Sequence, residues 1–247
     1  MQLYISVLIF LMSPVLFNCG TPSQIPASKT LADTGYTYRS GSPDGIGKFY
    51  FGREIAHVMG ASGAAWLERD ERQAEENTLM AIDSMKLLPN TNVADIGAGT
   101  GYYTFKMAER VPAGLVYAVE IQDEMIRYLS ETSSKRKSNN VKIVKGSTTV
   151  TNLPANSLDL AIMVDVYHEL EFPAEVLQSI SNALTSNGKL LLIEYRGEDR
   201  SIPIKALHKT SVAQLDKELG ANGFQLAYKG DFLPIQHFLV YQKRSRN

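Results

Sequence analysis

Val93-Ala94-Asp95-Ile96-Gly97-Ala98-Gly99-Thr100-Gly101 runs directly into Tyr102–Arg110, a stretch compatible with a helix. An apolar strand enters, a glycine-rich turn follows and a helix leaves, which is how a chain brings its backbone against a nucleoside cofactor. Glu120 stands about twenty residues beyond the turn, after a second apolar run, Leu115–Val119. A carboxylate at that distance can hold a ribose through its two hydroxyls. Turn and carboxylate together indicate a nucleoside cofactor.

From Asn92 onward the pattern alternates. Short β-rich runs fall at Val93–Ile96, Leu115–Val119, Val141–Val144, Leu158–Val164, Lys189–Glu194, Phe224–Tyr228 and His237–Gln242. Helix-compatible stretches lie between most of them, at Tyr102–Arg110, Asp123–Ser133, Pro173–Leu184 and Ser211–Asn222. Several strands are continuously apolar, as expected of strands covered on both faces. Gly188 and Gly223 each follow a helical stretch, where a left-handed cap calls for glycine. The pattern predicts an α/β fold over residues 91–247, Rossmann-like: a doubly wound, mostly parallel seven-stranded sheet with helices on both faces. The Gly230–Gln236 link is too short for a crossover helix, so the last two strands form an antiparallel hairpin.

Upstream, Ile55, Val58 and Met59, then Leu79, Ile82 and Met85, recur at helical spacing and predict an N-terminal helical cap over 48–90. The charge run Glu68–Glu76 reads as its solvated face. Residues 20–47, rich in Gly, Pro, Ser and Thr, read as a tether. Residues 1–19 form a separate signal-like segment. Gln2–Phe17 carries no charge and is almost unbroken in its apolarity, long enough for the core of an export signal and short for a membrane span.

The 247 residues suffice for one sizeable core with an added cap. A net charge of −1 argues against a nucleic-acid partner, which calls for a clustered basic surface. The local run Lys135-Arg136-Lys137 reads as a solvated loop. A single cysteine, Cys19, excludes an intramolecular disulfide. The four histidines, at 57, 168, 208 and 237, make none of the spacings of common metal motifs, so no protein-bound metal is expected.

Val93–Gly101 resembles the first motif of class I S-adenosylmethionine-dependent methyltransferases. Alternating helices and strands ending in a hairpin are also that family's arrangement. The evenly spaced glycines fit it better than the Gly-x-Gly-x-x-Gly of nicotinamide oxidoreductases, which stay the runner-up enzyme class. The resemblance covers Ala81 to Lys243 and implies S-adenosylmethionine as cofactor. It implies that Asp95, Gly97, Ala98, Gly99, Thr100 and Gly101 surround the cofactor's methionine portion and that Glu120 and Ile121 flank its ribose. It implies that Ser147 or Thr148 faces the adenine edge, where many relatives carry an acid. Asp165 lies near the transferable methyl.

Asp165-Val166-Tyr167-His168-Glu169-Leu170 resembles the Asp-x-x-His stretch of small-molecule methyltransferases related to the ubiquinone and arsenite enzymes. That implies His168 as general base or polar lid group; a histidine capping or packing beneath the next helix is the other reading. Further candidates are Tyr50 and Phe51 closing over the cofactor, Trp66 with Arg69 in a substrate pocket, and His208-Lys209 facing substrate; for each, core or surface packing is the favoured alternative. The stretch Asp44–His57 is similar to uncharacterised exported bacterial methyltransferase-like proteins. Leu16-Phe17-Asn18-Cys19 resembles a lipoprotein cleavage box, implying a lipidated Cys19 and attachment to the cell envelope. A cleaved signal, an uncleaved anchor and a buried helix in a cytoplasmic protein are the alternatives. The expected activity is methyl transfer to a small-molecule acceptor. The non-enzymatic alternative is a catalytically silent binding module at the envelope.

Overall fold

The computed structural model describes residues 34–245. The signal-like segment and the first part of the tether lie outside the described residues. The tether and cap expected further on are corrected in part: Tyr36–Tyr38 (β1), Gly45–Tyr50 (β2) and Arg53–Ala56 (β3) form a three-stranded antiparallel sheet. Phe51 and Gly52, at φ 46° and 97°, are its turn. Two left-handed centres in a two-residue loop match the right-handed twist of antiparallel strands, and the returning strand takes Ile55, the first residue of the expected helical period. Helices begin only at Ala64–Leu67 (α1), followed by Arg72–Glu76 (α2) and Thr78–Ser84 (α3).

Polar contacts dock this ribbon. Arg53 donates through Nε and Nη2 to both oxygens of Glu218, each at 2.8 Å. The Tyr36 hydroxyl donates to Glu175 Oε2 at 2.5 Å. Asn222 Nδ2 donates to the Tyr50 hydroxyl at 2.6 Å. Tyr50 is buried against Tyr36, and Phe51 lies edge-on to Tyr50. Both are packing residues, the reading the sequence favoured over a cofactor lid.

The main sheet matches the expected architecture. Val93–Ile96 (β4), Val116–Glu120 (β5), Val141–Lys145 (β6), Leu158–Val164 (β7) and Leu184–Tyr195 (β8) run parallel. Phe224–Gly230 (β9) and Gln236–Lys243 (β10) close it as an antiparallel hairpin, and β10 also pairs with β8. The strand order is β6-β5-β4-β7-β8-β10-β9. Tyr102–Arg110 (α4), Asp123–Arg136 (α5), Pro173–Ala183 (α6) and Val212–Ala221 (α7) connect the strands, while β6 passes to β7 through residues 146–157 without a helix.

Successive strand residues point to opposite faces, and the core divides accordingly. Ala94, Ile96, Ala161 and Met163 pack against Val176, Leu177, Leu215 and Leu219 of α6 and α7. Val93, Leu160 and Ile162 pack against Ala81, Ile82, Tyr103 and Met107 of α3 and α4. Gly223, at φ 80°, ends α7 as expected. Gly188 does not cap α6, because the chain passes straight from Ala183 into the extended Leu184. It lies inside β8, where a Cβ would stand 2.7 Å from the Leu158 carbonyl oxygen. Lys135 and Arg136 end α5, and Lys137 caps it at φ 55°; basic groups there suit the negative end of the helix dipole. Among the described residues no helix is long and apolar enough to cross a membrane.

β4 and β7 are neighbours, and their outgoing connections run to opposite sides, β4 through α4 to β5 and β7 through α6 to β8. This is the switch point of a doubly wound sheet, beyond whose strand ends a crevice opens.

Candidate active site

A cavity of about 610 Å³ occupies that crevice, a size suited to small ligands. Gly97 and Gly99 after β4, Glu120 and Ile121 at the end of β5, Ser147 after β6, and Asp165 after β7 all line it. The sequence expected each of these six at the cofactor.

Glu120 is turned toward the glycine loop. Its Oε2 accepts the Gly99 N–H at 2.9 Å, and its Oε1 accepts the N–H groups of Ile121 and Gln122 at 2.7 and 2.9 Å. A carboxylate offers about four acceptor positions. Three are filled from within the chain, which leaves one on Oε2 for a hydroxyl.

Gly97, Gly99 and Gly101 all lie at positive φ, but for different reasons. A Cβ on Gly101 would meet Phe105 at 2.5 Å and Leu129 at 2.8 Å, so that position is fixed by the packing of α4 on α5. A Cβ on Gly99 would meet only Leu67 Cδ1, at 2.8 Å, on the cavity wall. Ala98 and Thr100 stand behind this wall. The Ala98 N–H donates to the Val119 carbonyl, and the Thr100 hydroxyl donates to Glu68 Oε1 at 2.5 Å.

Asp95 is also behind the wall, buried beneath the loop, where it accepts the Thr104 hydroxyl at 2.6 Å. Burial pushes its carboxyl up to about 6, against the Thr104 hydrogen bond and the Arg72 charge. Asp165, by contrast, lines the cavity. It is a non-glycine residue at φ 54°, a conformation found where the surroundings enforce it. Its Oδ2 accepts from Gln236 Nε2 at 2.7 Å, while its buried Oδ1 has no partner. Burial raises its pKa well above the carboxylate range, and the charges of Glu76 and Glu194 push the same way.

The supposed solvated face, Glu68–Glu76, is corrected here. Arg72 and Glu76 are only 4% and 1% exposed. Glu76 accepts from Arg69 Nη2 at 2.7 Å, Arg72 Nε at 2.8 Å and the Tyr195 hydroxyl at 2.9 Å. α2 is only five residues long, too short to show a period. Its one sequence signal is the Arg72–Glu76 pair at helical spacing. Trp66 and Arg69 both line the cavity, the guanidinium 3.8 Å above the ring, one of the two places the sequence allowed them.

At the far end His168 neither caps nor merely packs. Its Nδ1 stands 2.6 Å from Glu194 Oε2, while Glu194 Oε1 accepts the N–H groups of Val166 and Tyr167. With the carboxylate at Nδ1, Nε2 is the ring nitrogen turned outward. That atom lies 3.1 Å from His208 Nδ1. Glu169 lies beside both. Lys209 turns away and donates to the carbonyls of Asp199 and Ile202. Spacing along the sequence gave no metal motif, yet His168, Glu169 and His208 bring three ligand atoms within 4.8 Å of one another. Spacing rules find ligands on one element, whereas these come from two loops.

Residues 87–236 match the family model described as a methyltransferase domain. A tRNA U34 carboxymethyltransferase of Helicobacter pylori is 30% identical over 116 residues, 45% of this chain and 43% of that protein. The ubiquinone/menaquinone biosynthesis C-methyltransferase of Ectopseudomonas mendocina is 28% identical over 116 residues, covering 46% and 45%. The chain thus spans less than half the length of these curated relatives. A SAM-dependent methyltransferase from Aquifex aeolicus superposes with a TM-score of 0.70 at 22% identity, over 74% of this chain and 98% of that one. That likeness shows the fold.

Proposed function

The chain belongs to the methyltransferase-domain family, in the class I S-adenosylmethionine-dependent group, and from that premise we propose that it methylates a small, largely apolar acceptor. One observation carries this reading: the Gly99–Glu120 hydrogen bond stands on the wall of a cavity that also reaches His168 and His208. The residues present fit the cofactor. Glu120 keeps one acceptor position for a ribose hydroxyl. The unpartnered Asp165 Oδ1 suits the cofactor's ammonium, since a buried polar oxygen without a partner is costly. Ile121 and Ser147 flank the space left for the base.

When bound, the cofactor supplies a methyl group already activated by its positive sulfur. The protein's part is to orient, exclude water and take a proton. Val58, Met59, Leu67, Leu170 and Ile204 give the cavity apolar walls, which favour an acceptor with an apolar body. The His168–His208 pair takes the acceptor's proton, and Glu194 beneath it stabilises the resulting imidazolium. Two features support a small acceptor over a nucleic acid: the apolar cavity wall and the net charge of −1. Calorimetric titration with S-adenosylmethionine, S-adenosylhomocysteine and NAD tests the reading. Micromolar binding of the first two is expected; preferential binding of NAD overturns it.

We also place the chain at the cell envelope, on the strength of the uncharged Gln2–Phe17 run and Cys19. Incorporation of labelled palmitate into the natural chain but not into Cys19→Ser is the expected result. Equal labelling of both rules out this attachment.

A further inference from the structure

We propose that His168, His208 and Glu169 bind a divalent transition-metal cation, zinc in its preferences, with one coordination position open to the cavity. The three candidate ligand atoms are His168 Nε2, His208 Nδ1 and Glu169 Oε1. They are separated by 3.1 Å between the histidines, 3.8 Å from His168 to Glu169 and 3.5 Å from His208 to Glu169. A circle through these atoms has a radius of about 2.0 Å, so a cation slightly off their plane lies at zinc–ligand distances of about 2.0–2.2 Å. Tetrahedral ligands at such lengths stand about 3.4 Å apart, in the middle of the observed separations. The site therefore needs little rearrangement.

The donor set and its surroundings point the same way. Two imidazoles and a carboxylate with a fourth position open are the ligands of a catalytic zinc. Magnesium and calcium prefer all-oxygen sites. Glu194 holds His168 Nδ1 at 2.6 Å and is itself fully buried. A carboxylate behind a histidine ligand fixes the ring and raises its basicity. The Met59 N–H steadies Glu169 Oε1 at 3.2 Å. The two carboxylates, Glu169 and Glu194, balance a dication between neutral imidazoles. The facing ring nitrogens of His168 and His208 converge on the place a cation would take.

Occupancy of this site is independent of methyl transfer. Its use does rest on the proposed function: a cation there would replace the histidine pair as the group that ionises the acceptor, taking its oxygen in the open position while the hydroxyl's proton passes to solvent.

The test uses the full chain in detergent, stripped with chelator and titrated with Co²⁺, then with Zn²⁺ in competition. Calorimetry with S-adenosylhomocysteine is run on the same samples. The expected result is one Co²⁺ per chain with the intense visible bands of tetrahedral cobalt, displaced by Zn²⁺. Affinity should fall at least about 100-fold in His208→Ala and Glu169→Gln, and about 10–100-fold in Glu194→Gln. Retained S-adenosylhomocysteine binding in His208→Ala shows that the variant is folded. Pale octahedral cobalt bands, or equal metal affinity in the natural chain and His208→Ala, overturn the site. If the natural chain binds cobalt as expected but not S-adenosylhomocysteine, the methyltransferase reading fails and the metal site stands.

Discussion

Gly99 donates its backbone N–H to Glu120 Oε2 at 2.9 Å, which ties the loop after one strand to the acid ending its neighbour. The bond preorganises both partners before any ligand arrives. Glu120→Gln replaces one acceptor oxygen with an N–H₂ group, which cannot satisfy all three donors now facing it. Affinity for S-adenosylhomocysteine should fall about 10–100-fold, about 1.4–2.8 kcal/mol, with little change in circular dichroism. Unchanged affinity in calorimetry would remove Glu120 from the site.

The glycine loop separates binding from folding. Gly101→Ala sets a methyl group against Phe105 and Leu129 at φ 89°, so it should lower stability by about 1–3 kcal/mol. Gly99→Arg fills the cavity wall and should abolish cofactor binding while a cooperative urea transition persists. Calorimetry and urea denaturation on both variants distinguish the two; tight cofactor binding by Gly99→Arg contradicts the proposed pocket.

Arg53 and Glu218 form a buried bidentate pair, with side chains 9% and 0% exposed. Arg53→Ala strands a buried carboxylate and should cost about 3–5 kcal/mol. Replacing both, as Arg53→Met with Glu218→Leu, should recover most of that loss. Urea midpoints for the three proteins measure it, and a single variant no worse than the double one refutes the argument.

Asp95 titrates against the fold. Its carboxyl is pushed up to about 6 in the native chain, above the roughly 3.9 of an unfolded aspartate. Between these values the native state binds more protons than the unfolded one, so this group lowers stability as pH rises. Asp95→Asn lacks that penalty. It should exceed the natural chain by about 1–3 kcal/mol at pH 8, and the gap should narrow below pH 6 and close near pH 4. Urea denaturation across that range decides it; a gap that widens as pH falls reverses the sign.

His168→Ala removes the ring that Glu194 orients. Turnover should drop about 10²–10⁴-fold while S-adenosylhomocysteine affinity changes little. Parallel losses in turnover and affinity would assign His168 a structural role.

The parallel sheet was legible because its signals are local. Val93–Ile96 and Leu158–Val164 are apolar on both faces and bounded by polar or glycine-rich turns, and both were read to the residue. The hairpin at Phe51-Gly52 was not legible, because phenylalanine in the left-handed region announces no turn. Its conformation is set by Gly52 and by the docking of both strands on α6 and α7. Half of the cofactor wall could be read from the glycine loop and Glu120. Arg72, Glu76 and Glu194 could not, because charged residues read as solvated until the fold supplies their partners. The convergence of His168 with His208 depends on β7 and β8 being neighbours, a property of topology rather than spacing.

Asp165, with its unpartnered oxygen beside Glu76 and Glu194, makes the charge of the cavity depend on what occupies it. Burial and the neighbouring acids hold a proton on this wall; a cation seated against that oxygen favours the ionised acid, so a proton leaves as the cation arrives. Ligand uptake is thereby tied to proton release and tightens as the surroundings become less acidic.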